Sequence, residues 1–139
     1  MKLTVAIFAA LILSSLVYGQ TGGDPERVIR RIVDAGVSEG YDQKVIGGLG
    51  DAGAVILTKI LAGRDLTRST IDGGLVVIQS VFADPTLVEA AGDREPRTAL
   101  LLLRYFDLST NDAALKKRIA DTVKYVRDRY AASLHATKP

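Results

Sequence analysis

Apolar residues recur every three to four positions along most of the chain from residue 24 onward, which is the spacing of helices that bury one face. The first such helix opens with Asp24 and Pro25, a favoured N-cap and a residue pre-set for the first helical turn. Gly36 is typical of a helix end. The apolar stripe between these signals consists of Val28, Ile29, Ile32 and Val33.

The same spacing predicts further helical segments, over residues 41–50, 51–62, 67–82, 84–92, 96–106 and 111–130. Residues that suit a helix start stand at the head of most of them. These residues are Asp51, Thr67, Asp84, Pro96, Asn111 and Asp112. Because no segment alternates apolar and polar residues for long, the pattern predicts an all-α fold.

One segment also fits a buried strand, because residues 74–78 form a short apolar run. We favour a helix, since the apolar stripe from Ile71 to Phe82 extends the helical spacing well beyond that run. Gly73 and Gly74 cost a helix interior roughly 2 kcal/mol relative to alanine. We therefore expect another helix to cross closely at these two glycines.

The segment 96–106 contains a run that is apolar on every side of a helix, Ala99 followed by four leucines. A helix of this kind is usually buried on all sides. We therefore expect it to lie in the middle of the domain.

The N-terminus has the layout of a cleavable export signal. Lys2 supplies a positive charge, residues 3–13 are apolar apart from Thr4, and Val17-Tyr18-Gly19 resembles a peptidase site. We expect residues 1–19 to be removed and the protein to be exported to a periplasmic or extracellular space. The alternative is that the apolar segment is retained as a membrane anchor, although it is shorter than the ~20 residues of a spanning helix.

After cleavage, residues 20–23 are expected to be a flexible N-terminus and residues 24–130 a single helical domain, followed by a flexible polar tail over residues 131–139. The chain has no cysteine, so this domain must be held by packing alone. A formal net charge of +2, of which Lys2 contributes one, does not indicate a nucleic-acid partner. Lysines and aspartates alternate along residues 117–128, which favours a solvated helix over a membrane-binding one.

Two stretches of the chain are similar to each other. Residues 50–55 and 83–88 each connect one helix to the next, and their aspartates, Asp51 and Asp84, lie 33 positions apart. In each unit the following helix ends at a glycine, a charged turn comes next, and an apolar helix completes the unit. The pattern is therefore helix, turn, helix, repeated once.

This pattern resembles the HEAT-type helical repeat, or the related armadillo type, over residues 41–106. Residues 49–54, the helix from Leu57 to Leu61 and the turn from Asp65 to Arg68 carry the resemblance. The resemblance implies antiparallel helix pairs stacked as a short right-handed array, with the terminal helices as caps. The alternative architecture is an irregular helical bundle.

Members of such families often tie neighbouring repeats together through an aspartate and an arginine at the turn. The resemblance assigns this role to Asp65 and Arg68, with Asp93 and Arg97 as the counterparts in the next unit. The second unit departs from the pattern, because it is shorter and carries Pro96 near the turn.

Catalytic and cofactor motifs find little support. Residues 48–53 match the glycine pattern of dinucleotide-binding turns, and Asp72 stands where a ribose-binding acid is expected. That motif requires a buried strand before it, and only Val45 and Ile46 precede it. We therefore interpret these residues as a turn between helices.

The chain has a single histidine, His135, and no cysteine, which leaves no zinc site and no supported nucleophile–base pair. The carboxylates are spread among helix caps and pairs four residues apart. We accordingly predict that the protein is not an enzyme, and we assign no catalytic, cofactor-binding or metal-binding residue.

The sequence therefore favours an exported, non-catalytic binding or scaffolding module that presents a helical surface to a protein partner. On the HEAT-like interpretation, the helices over residues 67–82 and 96–106 line that surface, with Gln79 and Arg104 as polar contacts. The alternative is a carrier of a small apolar ligand, with a cavity between helices lined by Leu100–Leu103 and Val76–Ile78.

Overall fold

The computed structural model describes residues 24–84 and 96–136 of the chain. These residues form six helices and no strand, which confirms the predicted all-α class. The helices are α1 Pro25–Ala35, α2 Gly40–Ile46, α3 Asp51–Leu61, α4 Arg68–Val81, α5 Arg97–Leu108 and α6 Ala113–Ala136. In the described ranges no helix is both long and apolar enough to span a membrane.

Three predicted segments fall on other parts of the chain. The export signal over residues 1–19 and the flexible stretch 20–23 lie outside the described residues. The short helix predicted over residues 84–92 also lies outside them from residue 85 onward. At the other end α6 continues to Ala136, past residue 130, where we expected a polar tail to begin.

The first helix begins and ends at the predicted residues. The Asp24 carboxylate accepts a hydrogen bond from the Arg27 backbone N–H at 3.2 Å, and Pro25 follows as the first helical residue. At the other end Gly36 has a φ of +75°, and its N–H donates to the Ile32 carbonyl at 2.7 Å. Such a left-handed residue is the usual helix terminator, and glycine adopts it without steric cost.

Two further predicted caps are present. The Thr67 hydroxyl accepts from the Thr70 N–H at 3.2 Å at the start of α4. The Asp112 carboxylate accepts from the Leu115 N–H at 3.0 Å at the start of α6. Each side chain satisfies one of the N–H groups that a helix start leaves unpaired.

Asp51 has a different role from the one we predicted. The cap of α3 is Gly50, and Asp51 is the first residue inside that helix. Its carboxylate accepts from the backbone N–H groups of Thr98 and Ala99, at 3.0 and 2.7 Å. Pro96 begins α5 without a side-chain acceptor, so a distant aspartate caps the helix that proline cannot cap itself.

The helix α4 lies at the centre of the fold and contacts each of the other five described helices. Its inward residues Ile71, Leu75 and Ile78 are completely buried. Residues 74–78 therefore form part of a helix and not a strand. The predicted stripe, which continues to the buried Phe82, is the main apolar surface of the core.

The two glycines of α4 allow two other helices to approach closely, as predicted. A Cβ atom at Gly73 would lie 2.4 Å from the Val33 carbonyl oxygen of α1. At Gly74 it would lie 2.7 Å from the ring of Phe106 in α5. Both distances are far below van der Waals contact, so no larger residue fits at either position without a shift of its neighbours.

The prediction that α5 is buried on all sides was wrong. Ala99, Leu102, Leu103 and Phe106 are buried, whereas Leu101 is 39% exposed. Among the described helices, it packs mainly against α3 and α6 and also contacts α4. The central position that we assigned to α5 is taken by α4, whose small residues let its neighbours come closer. A run of four leucines on a helix at the edge of the core then places one of them outward.

Candidate binding groove

The open side of α5 forms a groove with α6, with a volume of about 670 Å³. Its floor is apolar and its rim carries charged side chains. The floor consists of Leu100, Leu101, Leu103, Ile119, Ala120 and Val123, and the rim of Arg97, Arg104, Asp107 and Arg127. We refer to these ten residues as the α5–α6 groove.

Helical spacing explains why these residues share one surface. On α5, Arg97, Leu101 and Arg104 follow one another at intervals of four and three residues, so they lie on one face. On α6, Val123 and Arg127 stand four residues apart on the face that meets it. The groove is thus lined by one face of each helix.

A hydrogen bond and an ion pair near the connecting turn join the two helices of this hairpin. The Lys116 ammonium donates to the Asp107 backbone carbonyl at 2.7 Å and also lies 3.3 Å from the Asp107 carboxylate. Because Asp107 is the only acidic residue of the groove, this pairing offsets its charge. The rim therefore presents mainly the positive charge of arginines.

Several other arginines of the protein pair with carboxylates. Arg31 binds the buried Asp42, Arg68 lies 2.8 Å from Asp112, and Arg118 binds Asp72. By contrast, Arg104 and Arg127 are exposed and have no ion-pair partner within residues 24–84 and 96–136. Their guanidinium groups are available to an anionic ligand, which arginine binds through several N–H donors at once.

The structure places the two predicted contact residues in different clefts. Arg104 lies on the rim of the α5–α6 groove. Gln79 lines a smaller cleft of about 440 Å³, between α4, the turn after α1 and the middle of α6. Its side-chain amide lies 3.4 Å from the Thr122 hydroxyl, and its backbone carbonyl accepts from the Tyr125 hydroxyl at 3.1 Å. Gln79 therefore helps to attach α6 to α4, and its contact with a partner stays a prediction.

The residues predicted to line a carrier cavity are also separated. Leu100, Leu101 and Leu103 do line the α5–α6 groove. Val77 and Ile78 are completely buried in the core, and Val76 lines the cleft that contains Gln79. Because Val77 and Ile78 face the core, the apolar residues opposite α5 in the groove come from α6 and not from α4.

The glycine motif over residues 48–53 spans the turn between α2 and α3 and the first residues of α3. The Gly50 N–H donates to the Val81 carbonyl at 2.8 Å, and a Cβ atom at Gly53 would lie 2.4 Å from the Val81 side chain. These glycines permit close contact with the end of α4. Asp72, the residue in the ribose-binding position, instead forms an ion pair with Arg118.

The aspartate and arginine of the repeat-like turn do not pair with each other. Arg68 binds Asp112, at the start of α6, and thus connects the N-terminal ends of α4 and α6. The counterpart Asp93 lies outside the described residues, and Arg97 stands on the rim of the groove. Within the described ranges, no three histidine, aspartate or glutamate side chains come together as a metal site.

Comparisons of the chain with protein-family models, with curated proteins and with solved structures found no match.

The sequence interpretation identified Arg104 as a partner contact and Leu101 as part of the Leu100–Leu103 lining of a carrier cavity, but it missed Val123 and Arg127. One signal was present in the sequence, since residues 97, 101 and 104 alternate arginine and leucine at helical spacing. The contribution of α6 depends on how the hairpin packs, which its own sequence does not reveal.

Proposed function

We propose that this protein is an exported, non-catalytic binding module that presents the α5–α6 groove to a protein partner. The observation that carries the proposal is the exposed apolar floor at Leu101, bordered by Arg104 and Arg127, which have no ion-pair partner in the described part of the chain. An apolar surface framed by polar residues is characteristic of sites at which proteins bind other molecules.

The shape of the groove favours a protein segment over a small molecule. Sites for small molecules usually enclose 70–90% of the ligand surface. The α5–α6 groove lies on the surface, where Leu101 keeps 39% of its area in contact with solvent. A partner surface can cover this floor, and aliphatic area removed from water contributes about 25 cal/mol per Å².

The small size of the hairpin suggests a modest affinity. The contact area is expected to be under about 800 Å² per partner, the value for an interface of standard size. A single groove of this size binds weakly, so several copies presented together increase the apparent affinity. A scaffold that clusters partners is compatible with such a site.

The HEAT-like architecture is part of the same proposal. The two units are then α3 with α4, and the helix predicted over residues 84–92 with α5, while α6 is the C-terminal cap. The ion pair between Arg68 and Asp112 joins the start of α4 in the first unit to the start of this cap. The α5–α6 groove then lies between the last unit and its cap.

Site-specific photo-cross-linking tests the proposal. A photoreactive amino acid replaces Leu101 in the full chain, which is produced in its own cells, and the matched control carries the same group at Tyr41 on α2. Tyr41 is 66% exposed and lies outside the groove. We expect one defined protein adduct from position 101 and not from position 41. Equal, diffuse labelling from both positions would contradict the proposal.

The second candidate function is a carrier of a small apolar ligand. The apolar floor and the volume of about 670 Å³ favour it. Mass spectrometry of the natively purified protein under non-denaturing conditions distinguishes the two functions. A small molecule that is bound in stoichiometric amount and is lost in a Leu101→Gln variant would show that the protein is a carrier and not a protein-binding module.

A further inference from the structure

The α5–α6 groove has a second regularity, which concerns the shape of what it binds. On α5, residues Arg97, Leu101, Arg104 and Leu108 stand at intervals of four, three and four. On α6, Ala120, Val123 and Arg127 continue the same alternation, at three and four. These positions form a seam of apolar and arginine side chains along one face of each helix. A groove with an apolar floor between two helices is the kind of site into which a third helix lays its apolar face.

In the part of the chain that the structure describes, only α5 and α6 line this groove, and no third helix fills it. The exposed Leu108, at 60%, extends the seam beyond the groove by one turn. The described helices leave this face uncovered, because Leu101, Arg104 and Leu108 are exposed. A helix of three turns matches the 12 residues of α5 in length.

The charge of the rim specifies the chemistry of that helix. Arg97 and Arg127 lie at the end of the hairpin that is far from the connecting turn, and Arg104 lies nearer to it. The one acidic rim residue, Asp107, is paired with Lys116. Arginines interspersed with the apolar residues of the seam favour a partner helix that carries opposite charge beside its own apolar stripe.

We infer that the groove binds an amphipathic helix of a partner protein, with apolar residues at heptad spacing and glutamate or aspartate on both sides of that stripe. This inference rests on the proposed function and names the partner's chemistry. A second copy of this chain that docks groove to groove is disfavoured, because its rim carries the same arginines.

Two synthetic helical peptides test the inference with the purified full chain. Both carry the same leucine stripe at heptad spacing, flanked by glutamates in one peptide and by lysines in the other. Fluorescence anisotropy measures their binding. We expect the glutamate peptide to bind about tenfold or more tightly than the lysine peptide at low salt, with the ratio falling as salt screens the rim.

Matched variants locate the effect. The double reversal Arg104→Glu with Arg127→Glu is expected to invert the preference between the peptides. The control reverses Lys117 and Lys124, which lie on α6 outside the groove and pair with Asp121 and Asp128. This control changes the net charge by the same amount and should keep the preference. Circular dichroism verifies that both variants are folded.

The possible outcomes separate the inference from the proposed function. Equal binding of both peptides, or a preference that the Lys117 and Lys124 control inverts as well, would overturn the inference. If neither peptide binds while position 101 still cross-links to a protein, the acidic helix is wrong and the groove's function stands. If the cross-link is also missing, both fail.

Discussion

The helices α4 and α5 are both rich in apolar residues, yet one lies at the centre of the fold and the other at its edge. The centre of the molecule is α4, in contact with all five other described helices. By contrast α5 lies at one side, with Phe106 fully buried and Leu101 and Leu108 exposed. Apolar content alone therefore does not determine which helix becomes central.

The difference between these helices arises from their small residues. Gly73 and Gly74 bring α1 and α5 against α4 at distances that no side chain would permit. By contrast α5 has no glycine, so it offers no such point of close approach to its neighbours. One side of α5 completes the core, and the other side carries the exposed Leu101 and Leu108.

The largest expected effect separates the two faces of α5. Replacing Phe106 by alanine opens a cavity beside Gly74 and should lower the free energy of unfolding by about 3–5 kcal/mol, or prevent folding. Leu101→Ala, on the opposite face, should cost about 1 kcal/mol or less. Urea denaturation of both variants measures the difference. Similar losses would mean that both faces belong to the core.

The next effect concerns the close approach of α1 to α4. Gly73→Ala places a methyl group against the Val33 carbonyl, and relieving this clash should cost about 2 kcal/mol of unfolding free energy. Gly40→Ala is the control, because a Cβ atom there meets nothing within 4 Å. That control should be neutral or stabilise by up to about 1 kcal/mol. Equal results at Gly73 and Gly40 in thermal melts would refute the close crossing.

A smaller effect is expected at the aspartate that caps α5 from α3. Asp51→Ala removes the acceptor for the Thr98 and Ala99 N–H groups and should cost about 1–2 kcal/mol. Asp51→Asn, which retains one acceptor oxygen, should recover part of this loss. Hydrogen exchange offers a local readout, since the amides of Thr98 and Ala99 should exchange faster in the alanine variant. Unchanged exchange at both amides would remove Asp51 from this role.

The smallest effect is the pH dependence of the α6 cap. The hydrogen bond from the Leu115 N–H and, less strongly, the charge of Arg68 lower the pKa of Asp112 below its ordinary 3.8. Folding thus favours the charged carboxylate, whose contribution is present above the ordinary pKa and is lost as the pH falls through the lowered pKa.

Asp112→Asn removes this titration but keeps a side chain that can cap the helix. The variant should be slightly less stable than the wild type near neutral pH and approach it as the pH falls below about 4. Urea denaturation at several pH values measures the gap. A constant gap across this range would show that the charge of Asp112 is irrelevant to stability.

Local signals in the sequence predicted much of the fold. Asp24, Gly36 and Thr67 act within one or two turns of their position, so their roles follow from the neighbouring sequence. The close crossing at Gly73 and Gly74 could also be predicted, because the free-energy cost of two glycines inside a helix requires a compensating contact. These features supported the helix boundaries and the close crossing.

Features that depend on tertiary packing could not be predicted in this way. Aspartate is a favoured cap residue and Asp51 stands at the start of α3. Its carboxylate nevertheless binds α5, 47 residues further along the chain. The burial of α5 was overestimated for the same reason, since four consecutive leucines do not reveal which side meets the core. The groove likewise requires α6. Its residues Val123 and Arg127 line the groove because of the way in which the hairpin packs, which local sequence does not reveal.

The Leu101→Gln variant tests the central claim most directly, because it changes the outer face of α5 without altering its core side. Its unfolding free energy and its binding of the glutamate-flanked peptide are measured on the same preparation, beside Tyr41→Gln as the control. We predict an unfolding free energy within about 1 kcal/mol of wild type and at least a tenfold loss of binding, with no loss in the control. Full binding by a folded Leu101→Gln protein would contradict the assignment of this face as the docking surface.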